Sequence, residues 1–174
     1  LTEAQQRLAH TAQRDALTDA LSRRTMMERL DTAAAACATQ PVALFFIDLD
    51  GFKGLNDTDG HAAGDVLLIS LALALQDAVR LEDAVGRFGG DEFLVLAAVR
   101  DAAGADALAQ HLLRAVRACT AKCPRAASVS ASIGYALAPY DASQPLRLLQ
   151  LADHAMYAAK RGGKNRVMHC AGLD

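Results

Sequence analysis

Tryptophan is absent from this sequence, and aromatic residues make up only 5% of it. A core with so few rings must rest on aliphatic side chains and alanine, and the 52% hydrophobic fraction is weighted towards alanine. Alanine favours helix and permits close packing, so a mixed protein with several Ala-rich helices is expected. An excess of one charge is also missing: 18 Lys and Arg face 20 Asp and Glu, for a net charge of -2. That balance leaves no broad basic field for nucleic acid. No apolar run approaches the ~18 residues needed to cross a bilayer, and the leading segment does not read as a signal peptide. The cysteines (Cys37, Cys119, Cys123, Cys170) lack the spacing of a disulfide framework. Reduced, partly buried thiols of a cytosolic protein are expected.

What is present fits one domain with a short appendage, long enough at 174 residues to bury a real core. The chain opens without Met on a helical stretch, Leu1 to Leu8, and is expected to be a piece of a longer protein with its missing part upstream. Residues 1–14 read as the end of an upstream signalling helix, and 15–174 as the domain. Leu1, Ala4, Leu8 and Thr11 recur at three- and four-residue spacing. That spacing suits the end of a coiled coil and a solvated helix alike.

Further along, Thr25 to Ala38 reads as helix and Val42 to Ile47 as a continuous apolar strand, central in a sheet. A polar, Gly-rich loop is expected from Asp48 to Gly64, then a helix from Asp65 to Val79. Strands at Ala84–Phe88 and Glu92–Val99 flank a Gly-Gly turn. A helix at Ala102–Cys119, a strand at Ser128–Ala138, a helix at Gln144–Lys160 and an edge strand at Arg166–Met168 follow. This order gives an α+β architecture, a ferredoxin-like central mixed five-stranded sheet flanked by helices.

The most informative stretch is Phe88-Gly89-Gly90-Asp91-Glu92-Phe93. Consecutive glycines let a partner's backbone or phosphates come close, and two acids follow at once. A plain surface turn is one reading; a tip that holds a divalent metal against a polyphosphate is the other. Asp48 emerges from the end of the apolar strand, on a rigid, dry base suited to a metal ligand. Asp48 and Asp50 open like a calcium loop, but Lys53 and Asp59 stand where that loop requires Gly and Glu. Asp65, beside Gly64, reads either as a helix N-cap or, with Asn56, as a match for the edge of guanine. His61 reads as a loop-bracing hydrogen-bond donor. Lys160 and Lys164 either complement a helix C-terminus or converge on phosphates.

Taken together, Asp48-x-Asp-x-Phe52-Lys53-x-x-Asn56-Asp57-x-x-Gly60-His61-x-x-Gly64-Asp65, the Gly89–Phe93 run, Ala159-Lys160-x-x-Gly163-Lys164-Asn165 and Asp15-Ala16-Leu17-Thr18 resemble the motifs of GGDEF-domain diguanylate cyclases. The resemblance covers roughly residues 15–168 and implies a nucleotidyl-cyclase palm with the Gly-Gly hairpin at its active site. It implies condensation of two GTP into cyclic di-GMP, with release of pyrophosphate, across a homodimer of catalytic domains. Asp48, Asp91 and Glu92, with the carbonyl of Leu49, would hold Mg2+ or Mn2+. Asp91, Glu92 and Lys164 would be catalytic, the acids sharing activation of the 3′-hydroxyl. Phe52 and Lys53 would meet phosphates through backbone N–H groups, Asn56 and Asp65 would read guanine with His61 alongside, and Lys160, Lys164 and Arg87 would serve the triphosphate. Arg80 and Asp83 fall at the family's RxxD site, which implies inhibition by the product cyclic di-GMP. Arg114 or Arg117 are candidates for a second arginine there. The resemblance also implies a cytoplasmic domain controlled by an upstream sensory domain.

The departures lie in the leading motif, where Asp19, Ala20 and Ser22 replace the usual Gly, Leu and Asn. Asp19 would need a positive φ that is costly for a residue other than glycine. Lys164 replaces a common Arg, keeping charge and losing a bidentate fork. The alternative is a module that binds GTP or cyclic di-GMP without turnover. The presence of both Asp91 and Glu92 argues for catalysis. A cyclase that joins ATP to GTP is disfavoured by Asp65, whose carboxylate would face the N1 acceptor of adenine.

Overall fold

The computed structural model describes residues 1–173. Five strands form the sheet: β1 (Val42–Asp50), β2 (Ala84–Gly89), β3 (Glu92–Ala98), β4 (Ser130–Ala138) and β5 (Arg166–His169). Their order is β2-β3-β1-β4-β5, antiparallel except for the parallel β4–β5 pair. The apolar run of β1 is continuous because this strand is central and covered on both sides. Ala43, Phe45, Ile47 and Leu49 enter one core; Val42, Leu44 and Phe46 enter the other.

The described residues form six α-helices, of which all but the first pack on the sheet or on its helices: α1 (Glu3–Gln13), α2 (Arg23–Ala35), α3 (Phe52–Asp59), α4 (His61–Ala78), α5 (Ala102–Ala121) and α6 (Pro145–Arg161). Leu67, Leu71 and Leu75 of α4 and Leu112 and Val116 of α5 pack on the first face with Phe93 and Ile133. Met26 and Leu30 of α2 and Leu148, Ala152 and Met156 of α6 pack on the second. Burying a side chain such as Phe45 or Leu71 contributes roughly 1.5–3 kcal/mol each. The expected mixed sheet flanked by helices is therefore the observed one.

The helix α6 sits directly on β4. A Cβ at Gly134 would collide with the backbone of α6 at Met156 and Ala152, and would lie 2.5 Å from the carbonyl carbon of Ala155. Backbone cannot step aside as a side-chain tip does, so Gly134→Ala is expected to destabilise the fold by about 2–3 kcal/mol. A chemical denaturation midpoint measures this. Gly104→Ala, whose Cβ would meet only Asp101 Oδ1 at 3.4 Å, is the neutral control.

One expectation needs correction. The stretch Asp48–Gly64 is not a loop: β1 runs on to Asp50, α3 follows, and α4 begins at His61. Gly51 (φ 77°) and Gly60 (φ 87°) supply the turns between these elements, while Phe52 and Leu55 bury the inner face of α3. Asp65 is therefore inside α4, and Gly60 holds the N-cap position. The helix α4 is long and apolar enough by composition to cross a bilayer, with a mean hydropathy of 1.2 over 18 residues. Asp65, Ser70, Gln76 and Asp77 nevertheless break its apolar run, as expected, and Leu67, Leu68, Leu71, Ala72 and Leu75 are buried in the core.

The helix α1 buries no residue, and Leu1 and Leu8 are exposed. Its contact with the domain runs through the turn that follows it. Asp19 adopts φ 58°, as the departure from glycine required, and its carboxylate lies 3.1 Å from His10 Nε2 while its carbonyl accepts from Arg14. These local bonds hold a backbone conformation that an aspartate otherwise disfavours.

Candidate active site

The site grows from the ends of β1 and β3. In the antiparallel register Asp48 faces Glu92, and the Leu49 N–H donates to the Asp91 carbonyl at 3.1 Å. Three carboxylates are thus brought to one sheet end. Burial raises the pKa of Asp48, Lys160 opposes the rise, and Asp91 and Glu92 add to it, bringing it to about 6. Burial, then Asp91 and Asp153, also raises Glu92. Two acids that resist ionisation in the bare chain mark a place where positive charge is wanted. The donor set is all carboxylate, which fits a hard cation such as Mg2+. The oxygens do not converge as tightly as a bound cation demands. Glu92 lies back over Gly89, which has no Cβ to exclude it, and Asp48 leans to Lys160 Nζ at 3.6 Å.

Asp50 entered the sequence reading within a rejected calcium loop and as a position of the Asp48–Asp65 motif given no role, yet it organises the site. It is 3% exposed and accepts four hydrogen bonds: from Ser130 Oγ (2.7 Å), Ser132 Oγ (2.8 Å), Lys160 Nζ (2.9 Å) and the Asn165 N–H (3.1 Å). Burial alone would raise its pKa, but the bonds from Lys160, Ser130, Ser132 and Asn165 prevail and lower it. Lys160 responds in kind: burial would lower its pKa, and the two aspartates raise it. Alternation along β1 puts Asp48 and Asp50 on one face, which was a readable signal.

After α6 the chain turns through Gly163 (φ 122°), Lys164 (φ 65°) and Asn165 (φ 50°). Two successive non-glycine residues in the left-handed region are strained, and such strain persists only where surroundings enforce it. Here Arg117 of α5 donates to Asn165 Oδ1 (3.0 Å) and to its carbonyl (3.2 Å). Lys164 is exposed and makes no ion pair among the described residues.

On the other side of Asp48, α3 starts without a side-chain cap, so the N–H groups of Phe52 and Lys53 point out of an open helix end. One turn on, Asn56 Oδ1 is buried without a hydrogen-bond partner. An orphaned buried acceptor calls for an explanation, and an absent ligand is one. It can approach α4 only because Gly64 lacks a Cβ, which would clash with it. Asp65 and His61 stand exposed on the first turns of α4 beside it.

Arg87 is engaged within the chain. Its Nε donates to the Gly89 and Gly90 carbonyls (both 3.2 Å), its Nη2 to Gly90 (2.8 Å) and its Nη1 to Asp15 (3.2 Å). It braces the hairpin against the turn after α1. Arg23 stacks on Phe88 at 4.0 Å beside it. Arg80 and Asp83 lie at the opposite end of β2, lining a cavity of about 710 Å³ together with Arg100. Asp83 accepts from the Arg80 N–H (3.0 Å) and the Ala98 N–H (3.3 Å). The arginine sharing that cavity is Arg100, not Arg114 or Arg117.

Comparison with known proteins agrees with this geometry. The family described as "Diguanylate cyclase, GGDEF domain" matches residues 12–166. The chain is 39% identical over 167 residues to a bifunctional diguanylate cyclase/cyclic di-GMP phosphodiesterase, MucR of Pseudomonas aeruginosa, covering 95% of this chain and 24% of that protein. It is 43% identical over 159 residues to the diguanylate cyclase TpbB of Pseudomonas aeruginosa, covering 88% of this chain and 36% of the relative. The chain thus spans about a quarter to a third of the length of these relatives. Among solved structures, the DgcB domain of Caulobacter crescentus in complex with c-di-GMP superposes with a TM-score of 0.80 at 28% identity, over 92% of this chain and 97% of that one.

Proposed function

The chain belongs to the GGDEF-domain family of diguanylate cyclases, and from that premise we propose that it condenses two GTP molecules into cyclic di-GMP. In each half-reaction a ribose 3′-hydroxyl attacks the α-phosphate of the other GTP, losing its proton as pyrophosphate departs. The observation that carries the reading is the grouping of Asp48, Asp91 and Glu92 at one sheet end, with Lys160 against it.

Asp48, Asp91, Glu92 and the Leu49 carbonyl would hold Mg2+ or Mn2+. When bound, the ion lowers the pKa of the hydroxyl and offsets charge on the phosphate. Phe52 and Lys53 receive phosphate oxygens at the open start of α3. Asp65 accepts from guanine N1–H and its exocyclic amine, and the Asn56 amide completes the edge with His61 alongside. Lys164 and Lys160 neutralise the triphosphate. Asp91 or Glu92 takes the proton. One domain holds one GTP, so turnover needs a second copy face to face, an encounter that segments upstream of α1 and their sensory domain would control. Cyclic di-GMP binds back at Arg80 and Asp83 and inhibits. Arg80→Ala is expected to raise the inhibition constant at least about 10-fold, as losing a charge-assisted phosphate contact implies.

The decisive experiment incubates the protein, held as a dimer, with GTP and Mg2+ and seeks cyclic di-GMP by chromatography. Product is expected from the wild type and not from Asp91→Ala. No product from an enforced dimer would leave a binding module in place of an enzyme; product from Asp91→Ala would sink the metal assignment. Gly64→Ala, which pushes Asn56 out of place, is expected to raise KM for GTP about 10-fold, the order of one hydrogen bond to the base. Unchanged KM in steady-state assays would count against guanine recognition by Asn56.

A further inference from the structure

We propose that Asp141, His169 and Cys170 form a second metal site, for a divalent cation of the zinc class, at the end of the sheet away from the hairpin. Their ligand atoms all lie within 4.8 Å of one another. Asp141 comes from the turn after β4, His169 ends β5, and Cys170 opens the short 3-10 helix Cys170–Gly172. Cys170 follows His169 directly and packs against the second core, with its thiol beside the Asp141 carboxylate.

The ligands are oriented before any ion arrives. Asp141 Oδ2 accepts from the Leu137 N–H at 2.7 Å and lies 2.7 Å from His169 Nε2. The His169 ring lies parallel to the Tyr135 ring, with centroids 4.7 Å apart and an interplanar angle of 2°. Tyr135 in turn donates to Asp106 of α5 at 3.1 Å. Outer groups of this kind fix ring plane and carboxylate direction in metal centres. The side chains of His169 and Asp141 remain 23% and 12% exposed, so an ion can enter from solvent.

The donor set decides the ion. Thiolate, imidazole and carboxylate with a fourth position left to water suit Zn2+ and its spectroscopic stand-in Co2+. Mg2+ and Ca2+ require oxygen donors throughout, so this site differs in kind from the carboxylates at the hairpin. On binding, the sulfur–metal bond replaces the thiol proton of Cys170, which leaves to solvent. For His169 to bind through Nε2, the hydrogen that Nε2 donates to Asp141 Oδ2 is lost to solvent, and the neutral ring carries its hydrogen on Nδ1. The ion would tie the tail to the turn after β4, pinning β5, whose first residue follows Lys164 and Asn165.

Cobalt titration of the metal-free chain tests this without reference to GTP. One equivalent of Co2+ is expected to bring up a thiolate-to-cobalt absorption in the near ultraviolet that survives excess Mg2+. The band should vanish in Cys170→Ser and persist in Cys119→Ser/Cys123→Ser. His169→Gln should weaken affinity by more than the roughly 10–100-fold that losing an outer partner costs. Circular dichroism of each metal-free variant separates loss of a ligand from loss of fold. Absence of the band in the wild type, its survival in Cys170→Ser, or its removal by Mg2+ overturns the site.

Discussion

Asp48→Asn is expected to abolish cyclic di-GMP formation and, in the same protein, to raise the stability of the metal-free fold. The first effect follows from losing a carboxylate that faces Glu92 at the end of β1. Removing a ligand that stabilises developing charge is worth several kcal/mol, about 10³-fold in rate. The second follows from the pKa of Asp48, about 6 in the folded chain against 3.8 for an ordinary aspartate, with burial the chief cause. A carboxyl raised on folding contributes stability that is complete below its unfolded pKa and lost as pH rises through about 6. At neutral pH the ionised Asp48 therefore costs the bare fold on the order of 2–3 kcal/mol. The neutral amide of asparagine avoids that cost. Melts from pH 4 to pH 8 without divalent metal should show variant and wild type converging at the acid end, parting between about pH 4 and pH 6, and staying apart above that. A variant less stable than wild type at pH 7.5 would refute the electrostatic account.

Asp50→Ala is expected to be the most damaging single change to stability in the site, by about 3–5 kcal/mol. Removing one member of a buried ion pair strands the other. Here it leaves Lys160, Ser130, Ser132 and the Asn165 N–H without their shared acceptor. Adding Lys160→Met should recover part of the loss, because the stranded ammonium is removed too. The double variant should depart from additivity by at least about 1 kcal/mol in denaturant titrations. Strict additivity would mean that the pair contributes nothing as a pair. The pH signature is opposite to that of Asp48. The lowered pKa of Asp50 contributes stability that is present above the ordinary carboxylate range and is lost as pH falls.

These two aspartates also show what the chain discloses by itself. The apolar run of β1, the Gly-Gly hairpin and the helical periods of α5 and α6 are local patterns, and they place the sheet and the acids of the hairpin correctly. Asp48 could be singled out because it ends an apolar run. Asp50 could not be assigned its part, since its partners lie 80 to 115 residues away and no local pattern joins them. The helix α3 was hidden for another reason: Gly51 and Gly60 punctuate a polar stretch, and burial of Phe52 and Leu55 against the core overrides weak helix propensity. Arg87, to which only the resemblance gave a part at the triphosphate, is paired with Asp15, 72 residues earlier, a partner that no local pattern discloses.

The four bonds at Asp50 also bear on how the protein is made. Ser130 and Ser132 come from β4, Lys160 from α6 and the Asn165 N–H from the turn beyond it. During synthesis, β1 and the hairpin emerge long before these donors do. A partly made chain holds the acids that would bind a cation, yet lacks the cation-bearing loop that sets their geometry. The bonds that fix this sheet end therefore form only after α6 and the turn beyond it have been made, and a chain stalled before that point lacks them.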